Sequence, residues 1–132
     1  MRRLRDWFRK RQTPPDSADV SSWFRVIWDA EKVHLDVEPP GRSAWEDSFP
    51  WSSVSRVCFK AEGLDASDGI YVFTTLRPES FVIPTEASGG AALWNEIVKR
   101  GLFSATLAVT AASAVDGIFC WPPHDDPHHH GL

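Results

Sequence analysis

Hydrophobic and polar residues alternate through the first half of the chain, and this alternation predicts strands that each bury one face. The segment "WFRVIWDAEKVHLDV" divides into two such strands with "DAEK" as the turn between them. His34, Asp36 and Glu38 fall on the solvent side of the second strand. The residues expected on the buried faces are Phe24, Val26, Trp28, Val33, Leu35 and Val37.

Further strands follow at short intervals. "SAWEDSF" and "PWSSVSRVCFKA" predict two of them, with Val57 and Phe59 of the second on one face and Cys58 on the other. "EGLDASDG" is typical of a loop. "IYVFTTL" and "SFVIP" predict a hairpin around "RPES", and "GIFCW" predicts one last short strand near the end of the chain.

The hydrophobic period becomes helical after residue 84. "SGGAALWNEIVKRG" predicts an amphipathic helix with Ser88 as its N-cap and Gly101 as its stop. "SATLAVTAASAVDG" fits either a second helix capped by Ser104 or a strand, because it is rich in Thr and Val. The apolar residues at helical spacing in the first helix are Leu93, Trp94, Ile97 and Val98.

Hairpin strands followed by an amphipathic helix predict an α+β fold. We expect an antiparallel, curved β-sheet or partly open barrel of about six to seven strands, closed by one or two C-terminal helices. The order of elements resembles pleckstrin-homology-like domains. "FPWSSVSRVCF", "DGIYVF", "FVIPTEASGG", the helix Leu93–Leu102 and "GIFCW" also resemble a family of small, uncharacterised bacterial proteins with that fold. The resemblance covers roughly residues 22–121 and implies a fold without a reaction.

Charge divides the chain of 132 residues into unlike parts. We predict a basic leader over 1–11, a linker over 12–22 ("QTPPDSADVSS"), a single domain over 23–121 and a Pro/His-rich tail over 122–132. The leader holds six Lys/Arg and one acid, whereas the remainder holds eight basic and seventeen acidic residues. Nucleic-acid binding rests on Lys and Arg that neutralise phosphates, and the acidic remainder of the chain should repel it. Nucleic acid is therefore not an expected partner.

The leader "MRRLRDWFRKR" is amphipathic when it is drawn as a helix. Met1, Leu4, Trp7 and Phe8 share one face, which is the layout of a helix lying in a membrane interface with basic residues against anionic lipid. The alternatives are docking on the acidic body or on a partner, and a solvated tail. A cytoplasmic location, peripheral at the membrane, is the expectation. The predicted contact residues are Arg2, Arg3, Leu4, Arg5, Trp7, Phe8, Arg9, Lys10 and Arg11.

Catalytic chemistry has one weak candidate, Cys58. Its neighbours Arg56 and Lys60 would lower the pKa of a thiol on that strand face and favour the thiolate. A plain thiol or a disulfide with Cys120 are the alternative interpretations, since the only body histidine, His34, lies on another strand. No Ser/His/Asp set stands out. We therefore expect no enzymatic activity, no catalytic residues and no cofactor.

Metal and anion sites are equally weak in the sequence. His124, His128 and His130 lie among prolines and acids in the tail, where adventitious metal binding is favoured over a built zinc site. "LDASDG" lacks the first ligand of a calcium loop, because Leu64 stands in its place. "SGG" before the first helix fits a plain helix start better than a phosphate cradle.

Tryptophan is abundant, with seven residues in the chain. Trp28, Trp94 and Trp121 are expected in the core. Trp45 and Trp51 flank the turn-like "EDSFP" and are either core residues or anchors for a protein partner.

The function predicted from these features is a non-catalytic interaction or adaptor module, attached to an anionic membrane surface by its leader. Its partner would be a protein, and the oligomeric state is open. An immunity-type protein that neutralises a toxin through its acidic body is the alternative within binding proteins. A small enzyme that uses Cys58 is the remaining alternative.

Overall fold

The computed structural model describes residues 20–62 and 68–123. Within these ranges the chain forms three helices, seven strands and one 3₁₀ turn, Trp51–Ser53. The helices are α1 (Val20–Trp23), α2 (Gly90–Lys99) and α3 (Ala105–Ala112). The strands are β1 (Phe24–Trp28), β2 (Lys32–Val37), β3 (Trp45–Pro50), β4 (Val54–Glu62), β5 (Gly69–Thr74), β6 (Phe81–Pro84) and β7 (Asp116–Trp121).

The strands form two antiparallel sheets, which confirms the α+β prediction. The first sheet has the order β1-β2-β3 and the second has the order β6-β5-β4-β7. Neither sheet closes on itself. Both longer helices precede β7 in the chain, and β7 returns to pair with β4 at the edge of the second sheet.

Sequence alternation predicts the first sheet well. Val33, Leu35 and Val37 are almost fully buried, and β1 pairs with β2 with Val26 opposite Leu35. The turn is held by Asp29, whose Oδ1 accepts hydrogen bonds from the N–H groups of Glu31 (2.8 Å) and Lys32 (2.9 Å). These two bonds to the charged form, with the Lys32 bond contributing more, lower the pKa of Asp29 below its usual value.

The structure of the two longer helices corrects one sequence prediction, the N-cap of α2, and decides between helix and strand for the segment that forms α3. The helix α2 begins after Gly89, not Ser88, and the side chain of its N-cap position makes no capping hydrogen bond. Ser88 instead extends the edge of β1: its N–H donates to the carbonyl of Phe24 (2.9 Å), and its carbonyl accepts from the N–H of Val26 (2.8 Å). The 105–112 segment is a helix, and the Ser104 hydroxyl accepts from the N–H of Leu107 as an N-cap should.

The core lies between the inner faces of the sheets and the helices. Leu93 and Ile97 of α2 are buried, as their helical spacing predicts. Val20 is buried as well, so residues 20–22 of the predicted linker belong to the folded part. No helix within the described ranges has the length and hydrophobicity needed to cross a bilayer.

Candidate functional site

The leader and the histidine tail lie outside the described residues. This applies to every predicted contact residue between positions 2 and 11 and to His124, His128 and His130. Their predicted roles therefore remain predictions. Among the residues that the structure does describe, no group of three His, Cys, Asp or Glu side chains is placed to hold a metal ion.

Cys58 is bonded to Cys120 in the structure, so the free-thiol interpretation is wrong for this state. The two residues lie directly opposite each other on β4 and β7, with their Cα atoms 4.0 Å apart. A disulfide sulfur is not the thiolate that nucleophilic catalysis needs. Lys60, one of the cations near Cys58 in sequence, forms an ion pair with Glu62, with Nζ and Oε2 3.5 Å apart.

The two tryptophans that were candidates for partner contact have different environments. Trp51 is buried; its Nε1–H donates to the carbonyl of Asp29 (2.9 Å), and the Arg100 guanidinium lies 4.0 Å above its ring. Trp45 keeps 37% of its surface exposed and packs edge-on against Phe24. "EDSFP" is not a turn, because it continues β3. Trp51 is therefore a structural residue, while Trp45 stays accessible.

The "SGG" segment has a packing role. Gly89 has φ +84°, and a Cβ at this position would collide with the carbonyl oxygen of Val26. A Cβ on Gly90 would lie 2.5 Å from the carbonyl oxygen of Pro84. The glycines thus allow α2 to start in close contact with β1 and β6, which accounts for the motif without an anion.

The predicted loop "EGLDASDG", which is not expected to bind calcium, is described only in part. Residues 63–67 lie outside the described ranges, but Asp68 lies inside them. Its Oδ1 accepts from the N–H of Glu62 (3.1 Å), and its carbonyl accepts from the N–H of Thr85 (3.0 Å). Asp68, which directly precedes β5, thus connects the end of β4 to the chain after β6.

Apolar side chains are concentrated on the surface around β7. Four of the seven large apolar side chains that are exposed in the described ranges fall between residues 109 and 121. An exposed apolar strand at the edge of a sheet is a common site of association with another chain. We call this set the β7 rim: Val109 on α3, Val115 in the following turn, and Ile118 and Trp121 on β7.

The backbone of β7 adds hydrogen-bonding capacity to the rim. In antiparallel pairs, opposite residues whose Cα atoms lie about 4.5 Å apart do not exchange hydrogen bonds, whereas bonded pairs lie about 5.5 Å apart. The 4.0 Å between Cys58 and Cys120 identifies a non-bonded pair. The N–H and C=O groups of Cys120, and of Ile118 and Asp116 at alternate positions, therefore point away from β4. Among the described residues, none pairs with this outer edge.

Sequence reasoning placed Trp121 in the core and did not single out Ile118. The period-2 pattern showed that β7 is a strand, but exposure depends on its being the last strand of its sheet. A signal was present in the two cysteines, each of which lies inside a predicted strand. Their pairing would have placed β7 beside β4.

The outer face of the first sheet is polar and rich in carboxylates. Arg25 donates to Asp36 Oδ2 at 2.8 Å, and this bond raises the pKa of Arg25. Asp36 lies opposite Glu46 across β2 and β3, and Glu38 adds a weaker electrostatic attraction for the Arg25 guanidinium. His34 lies on the same face, with its Nε2 3.7 Å from Asp29 Oδ2.

An open groove of about 620 Å³ lies over the outer face of the second sheet. Its walls include Cys58, Phe73, Pro122 and Pro123. The Nε atom of Arg56 is buried in this region with no hydrogen-bond partner among the described residues, and burial lowers the pKa of Arg56. The groove is mainly apolar and brings no nucleophile and base together.

Comparison of the chain with protein-family models, with curated proteins and with solved structures finds no match. Function is therefore inferred from the geometry of the chain itself.

Proposed function

We propose that this protein is a non-catalytic interaction or adaptor module that contacts a protein partner through the β7 rim. The carrying observation is the position of Ile118, an apolar side chain 60% exposed on a strand whose outer backbone edge has no partner among the described residues. Exposed apolar edges are a recurrent template for strand addition by another chain.

The other strand edges support this assignment by contrast. The edge of β1 is covered by Ser88, and β6 is short, buried along its whole length and ends in Pro84. The edge strand β3 carries Glu46 and Asp47, and such charges discourage pairing with another strand. β7 has one charged residue, at its first position, and is the strand best suited to accept a partner.

A site-specific photocrosslinker tests this proposal in cells. Ile118, replaced by p-benzoylphenylalanine, should give a covalent adduct with a protein. Ile27 is a matched control, since it is 59% exposed on the outer face of the first sheet and should give none. No adduct at position 118, or equal adducts at both positions, would remove the rim from consideration.

We further propose that the leader attaches the module to an anionic membrane surface. Its six basic residues and its Trp, Phe and Leu support this, since each cation near such a surface contributes about 1 kcal/mol. The full chain should float with anionic vesicles at low salt and not with neutral vesicles. A chain starting at Asp19 should stay in the dense fraction, and equal flotation of both chains would exclude the tether.

The finer fold interpretation, a pleckstrin-homology-like domain, is part of the same proposal. Two antiparallel sheets followed by an amphipathic helix support it. The final strand β7, which follows the helices and joins the second sheet, departs from a sheet closed by a C-terminal helix.

An immunity-type role is the second candidate, and the carboxylate-rich outer face of the first sheet favours it. Glu46 and the already paired Asp36 would face a basic toxin surface and speed association with it. A toxin gene beside the gene for this chain would support this role. Glu46→Lys should then abolish protection of cells that express the toxin, while Ile118→Lys should leave protection intact; the reverse pattern would reject it.

A further inference from the structure

We propose that the protein which occupies the β7 rim is a second copy of this chain, joined by antiparallel pairing of the two β7 strands with Ile118 opposite Ile118. The proposal rests on the interaction function above and specifies its partner. The resulting dimer would have one twofold axis and a continuous sheet of eight strands. Its basis is the register that the outer edge of β7 permits.

The backbone groups that point outward restrict the possible registers. They belong to Asp116, Ile118 and Cys120, and in a bonded antiparallel pair such residues must face one another. With Ile118 opposite itself, Asp116 faces Cys120 of the second copy and Cys120 faces its Asp116. All three outward residues of each strand then exchange both of their hydrogen bonds with the second copy.

Neighbouring registers use fewer of these groups. A shift of two residues in one direction sets Asp116 opposite Pro122, which has no N–H to donate. The opposite shift sets Cys120 against Ala114, which lies before the start of β7. The pattern of outward groups therefore favours the register centred on Ile118.

Side chains of the rim match in the same register. The two Ile118 side chains meet on the outer face of the joined sheet. This apolar pair lies at the centre of the joined strands, and apolar cross-strand pairs of this kind stabilise sheets.

Charge is compatible with this pairing. Asp116 is the only charged residue of β7, and it faces Cys120 instead of a second carboxylate. The two Asp116 residues lie four positions apart along the joined strands, about 13 Å at 3.3 Å per residue. At that separation their repulsion is largely screened at physiological salt.

The disulfide prepares the edge for pairing. Cys120 lies within β7, and its bond to Cys58 fixes the strand to the centre of the second sheet. An edge that is already ordered loses less conformational entropy when a second strand binds to it.

Sedimentation velocity of the full chain over a range of concentrations tests the inference. We expect a monomer–dimer equilibrium, and Ile118→Lys should raise the dimer dissociation constant about tenfold or more by placing two cations at the centre of the pair. Ile27→Lys, at equal exposure, should leave the constant unchanged. A chain that stays monomeric at every concentration, or a dimer unaffected by Ile118→Lys, would overturn the inference.

Photocrosslinking distinguishes failure of this inference from failure of the proposed function. An adduct at position 118 with twice the mass of the chain, joined to the peptide that contains residues 116–121, supports the homodimer. An adduct with a different protein rejects the homodimer and retains the interaction module. Absence of any adduct at position 118 rejects both.

Discussion

Phe103 shows how single residues hold the helices on the second sheet. Its ring lies 4.7 Å from that of Trp94, which in turn lies 4.9 Å from Phe59 on β4. These three rings connect the segment between α2 and α3 to the inner face of the sheet. The contact was not evident in the sequence, because Phe103 lies in a short segment without periodicity.

Phe103→Ala should lower the free energy of unfolding by about 3–5 kcal/mol, because a fully buried ring leaves a cavity among its neighbours. Urea denaturation followed by tryptophan fluorescence measures the loss. Val109→Ala on the exposed face of α3 is the control and should change stability by no more than about 0.5 kcal/mol. A similar effect of the two substitutions would contradict the packing described for Phe103.

Gly89 and Gly101 are favoured as glycine for different physical reasons. Both have φ near +80°, but only a Cβ at Gly89 would meet the backbone of Val26, while a Cβ at Gly101 meets nothing within 4 Å. Gly101→Ala should cost about 1–2 kcal/mol from its left-handed conformation alone. Gly89→Ala should cost clearly more in the same thermal or urea unfolding experiment. Equal losses would show that α2 does not start in contact with β1.

At the scale of elements, the two predicted N-caps give a matched pair. Ser104 caps α3 through its hydroxyl, whereas Ser88 serves β1 through its backbone. Ser104→Ala should lower the free energy of unfolding by about 1 kcal/mol. Ser88→Ala keeps the backbone bonds and should have almost no effect. The opposite ranking in urea denaturation would restore Ser88 as the helix cap.

The disulfide joins two strands that are 62 residues apart in sequence. A cross-link that closes a loop of this length restricts the unfolded chain, and the entropic estimate of its contribution is about 4 kcal/mol. A reductant should therefore lower the urea midpoint of the native chain. The double variant Cys58→Ser, Cys120→Ser should start at the lower midpoint and be insensitive to reductant. An unchanged midpoint for the native chain under full reduction would contradict this role.

Local patterns explain which elements could be predicted. The alternation at Val33, Leu35 and Val37 and the spacing of Leu93 and Ile97 depend on residues close in sequence, and these elements were predicted correctly. The predicted N-cap of α2 was wrong by one residue, because the backbone N–H and C=O of Ser88 form hydrogen bonds with β1, which is distant in sequence. The position of the N-cap thus depends on hydrogen bonds between distant parts of the chain, which the local sequence pattern does not show.

At the scale of the whole molecule, the same limitation governs the candidate site. The charge difference between residues 1–11 and the rest is a property of composition and was visible in the sequence. The rim was not, since the exposure of Ile118 and Trp121 follows from the strand order β6-β5-β4-β7. An edge exists only once the sheet is assembled.

Hydrogen exchange at β7 in a dilute solution of the full chain tests the central claim most directly. The geometry predicts fast exchange at the amides of Ile118 and Cys120, which point away from β4, and slow exchange at Phe119, which faces β4. Higher protein concentration should slow exchange at Ile118 and Cys120 as the second copy binds. Strong protection of Ile118 and Cys120 at high dilution would show that the chain covers this edge itself, and would contradict an open interaction surface at β7.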